Sequence, residues 1–101
     1  MRTRRTYYRN YGITTEEAER LKQICRETND PEEKEILWNA ALLANGALAS
    51  QIYKSLREKK SFEKIDEKEY IPLNREDFYG YQRLCVLYFK NLMIFAGKYS
   101  P

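Results

Sequence analysis

The chain has 101 residues, 43% hydrophobic and 33% charged, with a net charge of +3, which suits one domain around one core and excludes a disordered chain. Its longest apolar run, Leu84 to Phe95, is interrupted by Lys90 and Asn91 and is shorter than the roughly 20 residues of a membrane span, so no membrane association is expected. The basic start Met1-Arg2-Thr3-Arg4-Arg5 leads into no apolar stretch, so no secretory leader is read and the cytoplasm is the expected location.

Residues 1–12 read as an N-terminal arm, and residues 13–101 as a single helical domain. The arm carries Arg2, Arg4, Arg5 and Arg9 and no acid, a charge of +4. Residues 13–36 hold eight acids against four bases. A basic arm before an acidic helix points toward a polyanionic partner, although basic tails also serve solubility.

Thr14 followed by Glu17 is a capping-box spacing, and Ala18, Leu21, Ile24, Cys25 and Thr28 then recur on one helical face. Asn29-Asp30-Pro31 ends this helix and starts a second, with Asp30 as cap, Pro31 in the first turn and Glu32 and Glu33 set against the helix dipole. The second helix is expected to run from about 31 to 58, because the spacing of Trp38, Ala41, Asn45, Leu48, Ile52 and Ser55 carries its phase through Asn45-Gly46. Gly46 would then admit a close neighbour, the alternative being a break there. Ser61 caps a short helix, Pro72 makes Tyr70–Leu73 extended, and Asn74 opens a last helix that ends at Gly97-Lys98. Phe78, Tyr81, Cys85, Tyr88, Leu92 and Phe95 mark the inner stripe of that helix, which from Leu84 onward is apolar nearly all round. The expected fold is all-α: a small helical bundle of three main helices plus one short helix.

Chemistry has few places to sit. The chain has no histidine, its cysteines Cys25 and Cys85 lie sixty residues apart inside apolar patterns, and Gly12, Gly46, Gly80 and Gly97 are scattered. The commonest general base, the usual zinc spacings and a phosphate-cradling loop are therefore missing. The thiols are expected to be free and buried. No enzyme activity, cofactor, metal or small-molecule substrate is expected.

Three features could carry function. In the arm, arginines are interleaved with Tyr7, Tyr8 and Tyr11, a composition that could neutralise phosphates and enter a minor groove or stack on unpaired bases, while the tyrosines could equally fold back onto the helices. Residues 61–65, a connector and residues 74–83 can be read as a helix-turn-helix-like C-terminal half offering Asn74, Arg75, Tyr79, Gln82 and Arg83 to DNA, or as a core helix with a polar first turn. The connector is longer than the usual three or four residues. The apolar excess of the last helix fits either a homodimer or a well-filled monomer.

Tyr7-Tyr8-Arg9-Asn10-Tyr11-Gly12-Ile13, Leu21-Lys22-Gln23-Ile24-Cys25-Arg26 and Asp77-Phe78-Tyr79-Gly80-Tyr81-Gln82-Arg83 together resemble segments of short, mostly uncharacterised helical proteins encoded by phages and prophages of Gram-positive bacteria. The C-terminal part is more faintly similar to phage late transcriptional activators with sigma-factor-like helix-turn-helix ends, from which the connector departs. The resemblance implies origin in a mobile element. Taken with the charge pattern, the expected function is DNA binding or transcription regulation, with Arg2, Arg4, Arg5 and Arg9 on the backbone and Arg75, Tyr79, Gln82 and Arg83 as the reading surface. The alternative is a helical protein-interaction module, an assembly or accessory protein that binds no nucleic acid.

Overall fold

The computed structural model describes residues 7–101. Helices α1 (Thr15–Glu27), α2 (Pro31–Ala44), α3 (Ala49–Arg57), α4 (Phe62–Lys68) and α5 (Arg75–Phe95) follow a 3-10 turn at Tyr8–Tyr11, and a second 3-10 turn at Gly46–Leu48 joins α2 to α3. Among the described residues no strand forms and no helix is long and apolar enough to cross a membrane.

Local capping starts most of the helices. Thr14 accepts the Glu17 amide at 3.1 Å, Asp30 that of Glu32 at 3.0 Å, Ser61 that of Lys64 at 3.3 Å and Asn74 that of Asp77 at 2.9 Å. Each satisfies an amide that the first helical turn leaves without a partner. The capping box expected at Thr14 forms only in this half. The Glu17 carboxylate turns instead to Lys90 Nζ at 3.0 Å and Tyr99 Oη at 2.8 Å. At the other end of α5, Gly97 takes a left-handed φ of 73°, and the Lys98 amide reaches back to the Met93 carbonyl at 2.8 Å, the closure expected of a glycine after the last turn.

The one long helix expected over 31–58 is two helices. Asn45 leaves the helical region at φ −165° and ψ 101°, and its side chain accepts the Ala47 amide at 3.1 Å. An asparagine that bonds its own downstream backbone competes with the helical ladder, and here it wins. The apolar phase survives because the break turns the chain without rotating its buried face. Ala40, Ala41 and Ala44 lie inside before it, and Leu48, Ala49 and Ile52 after it. A Cβ at Gly46 would meet nothing within 4 Å, so the close-neighbour role expected for that glycine does not exist.

The core gathers around α5, which packs along α2 and also against α1 and α3. Phe78, Leu84, Cys85, Val86, Phe89 and Met93 of α5 are buried with Leu21, Cys25, Leu37 and Ile52 from the other helices. Cys25 and Cys85 are free, buried thiols, and burial pushes the Cys25 thiol up to about 12 and that of Cys85 well above its ordinary value. The inner stripe expected for α5 is only partly inside. Phe78 and Cys85 are buried, Tyr81, Tyr88 and Leu92 half-buried, and Phe95 lies almost wholly in solvent.

Candidate nucleic-acid interface

Arg2, Arg4 and Arg5 lie outside the described residues. The remainder of the arm is built onto the bundle. Asn10 accepts the Tyr7 amide through its side chain at 2.8 Å, the Ile13 amide bonds the Tyr8 carbonyl at 3.0 Å, and the Tyr8 and Tyr11 rings pack on the core. Tyr7 is exposed and carries two guanidinium groups on its ring, Arg9 at 5.2 Å and Arg83 at 5.3 Å from the ring centre. One arginine comes from the arm and the other from the first half of α5. They therefore share one surface, at the point where residues 1–6 join the described chain.

The surface continues through Lys22, whose ammonium sits 5.6 Å over the Tyr8 ring. Lys22 also lines a groove of about 290 Å³ between α1, the end of α3 and the start of α5, together with Arg26, Lys59, Lys60, Ser61 and Gln82. Glu19 is the acid in that lining and lies 3.3 Å from Lys22. Lys60 pairs with Glu58 at 2.9 Å. These exposed pairs are worth little individually, and either cation can exchange its carboxylate for a phosphate at small cost.

Lys59 is the non-glycine residue with positive φ among those described, at 53°. It follows the cap of α3 in the position that glycine usually fills. Arg57, two residues earlier, closes the end of α1 by donating through Nη1 to the carbonyls of Cys25 at 3.0 Å and Arg26 at 2.9 Å. The same side chain that caps α1 thus fixes the end of α3, and with it the position of Lys59 and Lys60.

The polar start of α5 is used mainly to hold the bundle together. The Tyr79 hydroxyl accepts the Phe62 amide at 3.0 Å, and Gln82 Nε2 donates to Ser55 Oγ at 3.1 Å. Ser55 in turn donates to the Ile52 carbonyl at 2.7 Å. Arg75 is exposed and paired with Glu63 of α4. α4 has seven residues, and the connector from 69 to 74 is tied down by Gln51 Nε2 on the Tyr70 carbonyl at 3.1 Å and by the Ile71 amide on Asp66 at 2.8 Å. Of the residues expected to read DNA, the structure joins Arg83 to Arg9, sets Arg75 beside α4, and commits the polar ends of Tyr79 and Gln82 to neighbouring helices. The cations that sequence reading missed are Lys22, Arg26, Lys59 and Lys60.

Among the described residues no cluster of histidine, cysteine, aspartate or glutamate could hold a metal ion. No family model, curated protein or solved structure matches the chain.

Proposed function

We propose that the protein is a phage-derived regulator that binds double-stranded DNA, and that it does so mainly through phosphate contacts. The observation that carries this reading is the meeting of Arg9 and Arg83 on Tyr7, continued by Lys22 into the groove of Arg26, Lys59 and Lys60. Six cations from four separate stretches of sequence converge there, and the chain leading into them carries three more arginines. Phosphate neutralisation needs such a density of positive charge and little else, whereas base readout needs free side-chain ends. Tyr79 and Gln82 act as positioning residues that fix α5 against α3 and α4. Arg75 is held by Glu63 and contributes less than Arg83.

Lys59 gives the reading independent support. A lysine kept in a backbone conformation that favours glycine is what a functional charge would require.

Fluorescence anisotropy with a labelled duplex across a salt series tests the proposal. If six phosphates are engaged, the logarithm of the binding constant falls with that of salt concentration at a slope of about −5. Arg83→Ala and Lys59→Ala each flatten that slope by about 0.9, and Arg75→Ala changes it less. Absence of binding at low salt overturns the proposal, as does a slope untouched by these substitutions.

The alternative of an interaction module is favoured by a different surface, the exposed apolar end of α2 and α5. That surface does not overlap the basic one, so an apolar contact and DNA binding can coexist. A module that binds no nucleic acid is the reading that absent binding at low salt would leave.

A further inference from the structure

We infer that the apolar surface formed by α2 and the end of α5 seats a second copy of this chain. Phe95, at the last turn of α5, is 92% exposed, and Leu43 of α2 is 60% exposed. Leu42, Ile94 and Trp38 are each about two-fifths exposed. Phe95 also forms part of the wall of a groove of about 450 Å³, together with Ile36, Leu42, Leu43 and Leu92. A single exposed leucine needs no explanation, but a contiguous apolar patch with its own groove marks an interaction site.

Three observations select a second copy as the occupant. First, the patch carries both halves of a contact, a projecting phenyl ring and an apolar groove adjoining it. A two-fold interface brings the same patch together with itself, so each ring can enter the other chain's groove. Second, the area is right. Taking roughly 200 Å² for a large aromatic side chain and somewhat less for leucine or isoleucine, the five exposed side chains offer on the order of 500 Å². A standard interface takes about 800 Å² from each partner, somewhat over half of it apolar, so the patch supplies the apolar share of such a contact. Third, charge opposes it little. Glu32 is the charged residue in the groove wall; its side chain is 62% exposed and lies 3.6 Å from Lys98, which also holds Asp30 at 2.7 Å. A single exposed carboxylate on each side repels its counterpart only weakly through water and salt.

The joined face lies away from the basic groove. Arg83 and Phe95 are twelve residues apart on one helix, about 18 Å along its axis. A dimer closed at Phe95 leaves both basic surfaces uncovered.

Light scattering and sedimentation equilibrium on the full chain test the inference, with Phe95→Asp and Leu43→Asp as variants. The wild-type chain is expected at twice its 12.1 kDa mass. Each variant should weaken the dimer about thirtyfold or more, the loss typical of a central interface residue, with unchanged far-ultraviolet circular dichroism. The two substitutions lie on different helices, so a folding defect in one leaves the other to decide. A wild-type chain that stays at single-chain mass near about 1 mM, the weakest range of specific association, overturns the inference and leaves the patch to a different protein. So do two folded variants that dimerise as tightly as wild type.

Discussion

Replacing Lys59 with glycine is expected to stabilise the protein and weaken its grip on DNA at the same time. Lys59 holds φ at 53° directly after the cap of α3. For an L-residue the left-handed region costs about 1–2 kcal/mol, a cost glycine does not bear. Glycine also loosens the unfolded chain, which offsets about 0.5–1 kcal/mol of the gain. The balance is a stabilisation of about 0.5–1 kcal/mol, or about 2–8 °C in Tm for a domain near 100 residues. The same substitution removes one cation from the groove, so the salt slope of DNA binding should flatten by about 0.9. Thermal denaturation followed by circular dichroism reads the first effect, and anisotropy titrations at four or more salt concentrations read the second. Lys59→Ala is the control, since it removes the charge and keeps the strained backbone: it should match the glycine variant in binding and lack its thermal gain. A lower Tm for Lys59→Gly would refute the account of backbone strain. An unchanged slope would remove Lys59 from the interface.

Two further substitutions probe how the arm and the C-terminal segment are held. The buried Tyr8 hydroxyl has no hydrogen-bond partner, and burial pushes its pKa well above the ordinary tyrosine value. Tyr8→Phe should therefore stabilise by about 1 kcal/mol in chemical denaturation, and a loss of that size would mean the hydroxyl is satisfied. Glu17 behaves oppositely: hydrogen bonds from Tyr99 and then Lys90 hold its carboxyl below the usual range. A depressed carboxylate stabilises above the unfolded pKa of about 4.3, and that contribution is lost as pH falls through the lower folded value. Glu17→Gln should cost about 1 kcal/mol at pH 7, with the gap to wild type closing as the pH is taken below about 4. A gap that persists unchanged into strong acid would show that shape, and not charge, is what Glu17 supplies.

What could be read from the sequence is what depends on near neighbours. Thr14, Asp30, Ser61 and Asn74 cap their helices through amides two or three residues away, so those four helix starts were legible. Periodicity located the buried face of residues 48–56, but before Asn45 it misplaced Trp38, which lies at the surface while Leu37, Ala40 and Ala44 turn inside. It also records which way side chains point and not where the axis runs. The turn at Asn45 therefore stayed hidden behind an unbroken apolar phase. Long-range partners were invisible. Glu17 abandons its expected capping role for Lys90 and Tyr99, more than seventy residues away, and Tyr79 and Gln82 look free until α4 and α3 are packed beside them. The basic groove was missed for the same reason. Lys22 and Arg26 belong to an acidic stretch, while Lys59 and Lys60 have a sufficient local explanation at the negative end of a helix. Only the packing of α1 against α3 turns two unremarkable pairs into one surface.

The two proposed surfaces make a joint claim that neither makes alone, because α5 carries a part of each. Arg83 lies in its first half on the basic side, and Phe95 lies in its final turn on the apolar side. The helix between them is fixed by a buried stripe from Phe78 to Met93, so its two ends cannot shift independently. A single chain gripping six phosphates gives a salt slope of about −5, and two chains held on one duplex give up to about −11. The slope thus counts the chains at the DNA. A steep wild-type slope that falls by half in Phe95→Asp, with every cation still in place, would require that the apolar ends bring two basic faces to the same duplex. Equal slopes in the two proteins would mean that each chain binds alone, whatever mass the free protein shows.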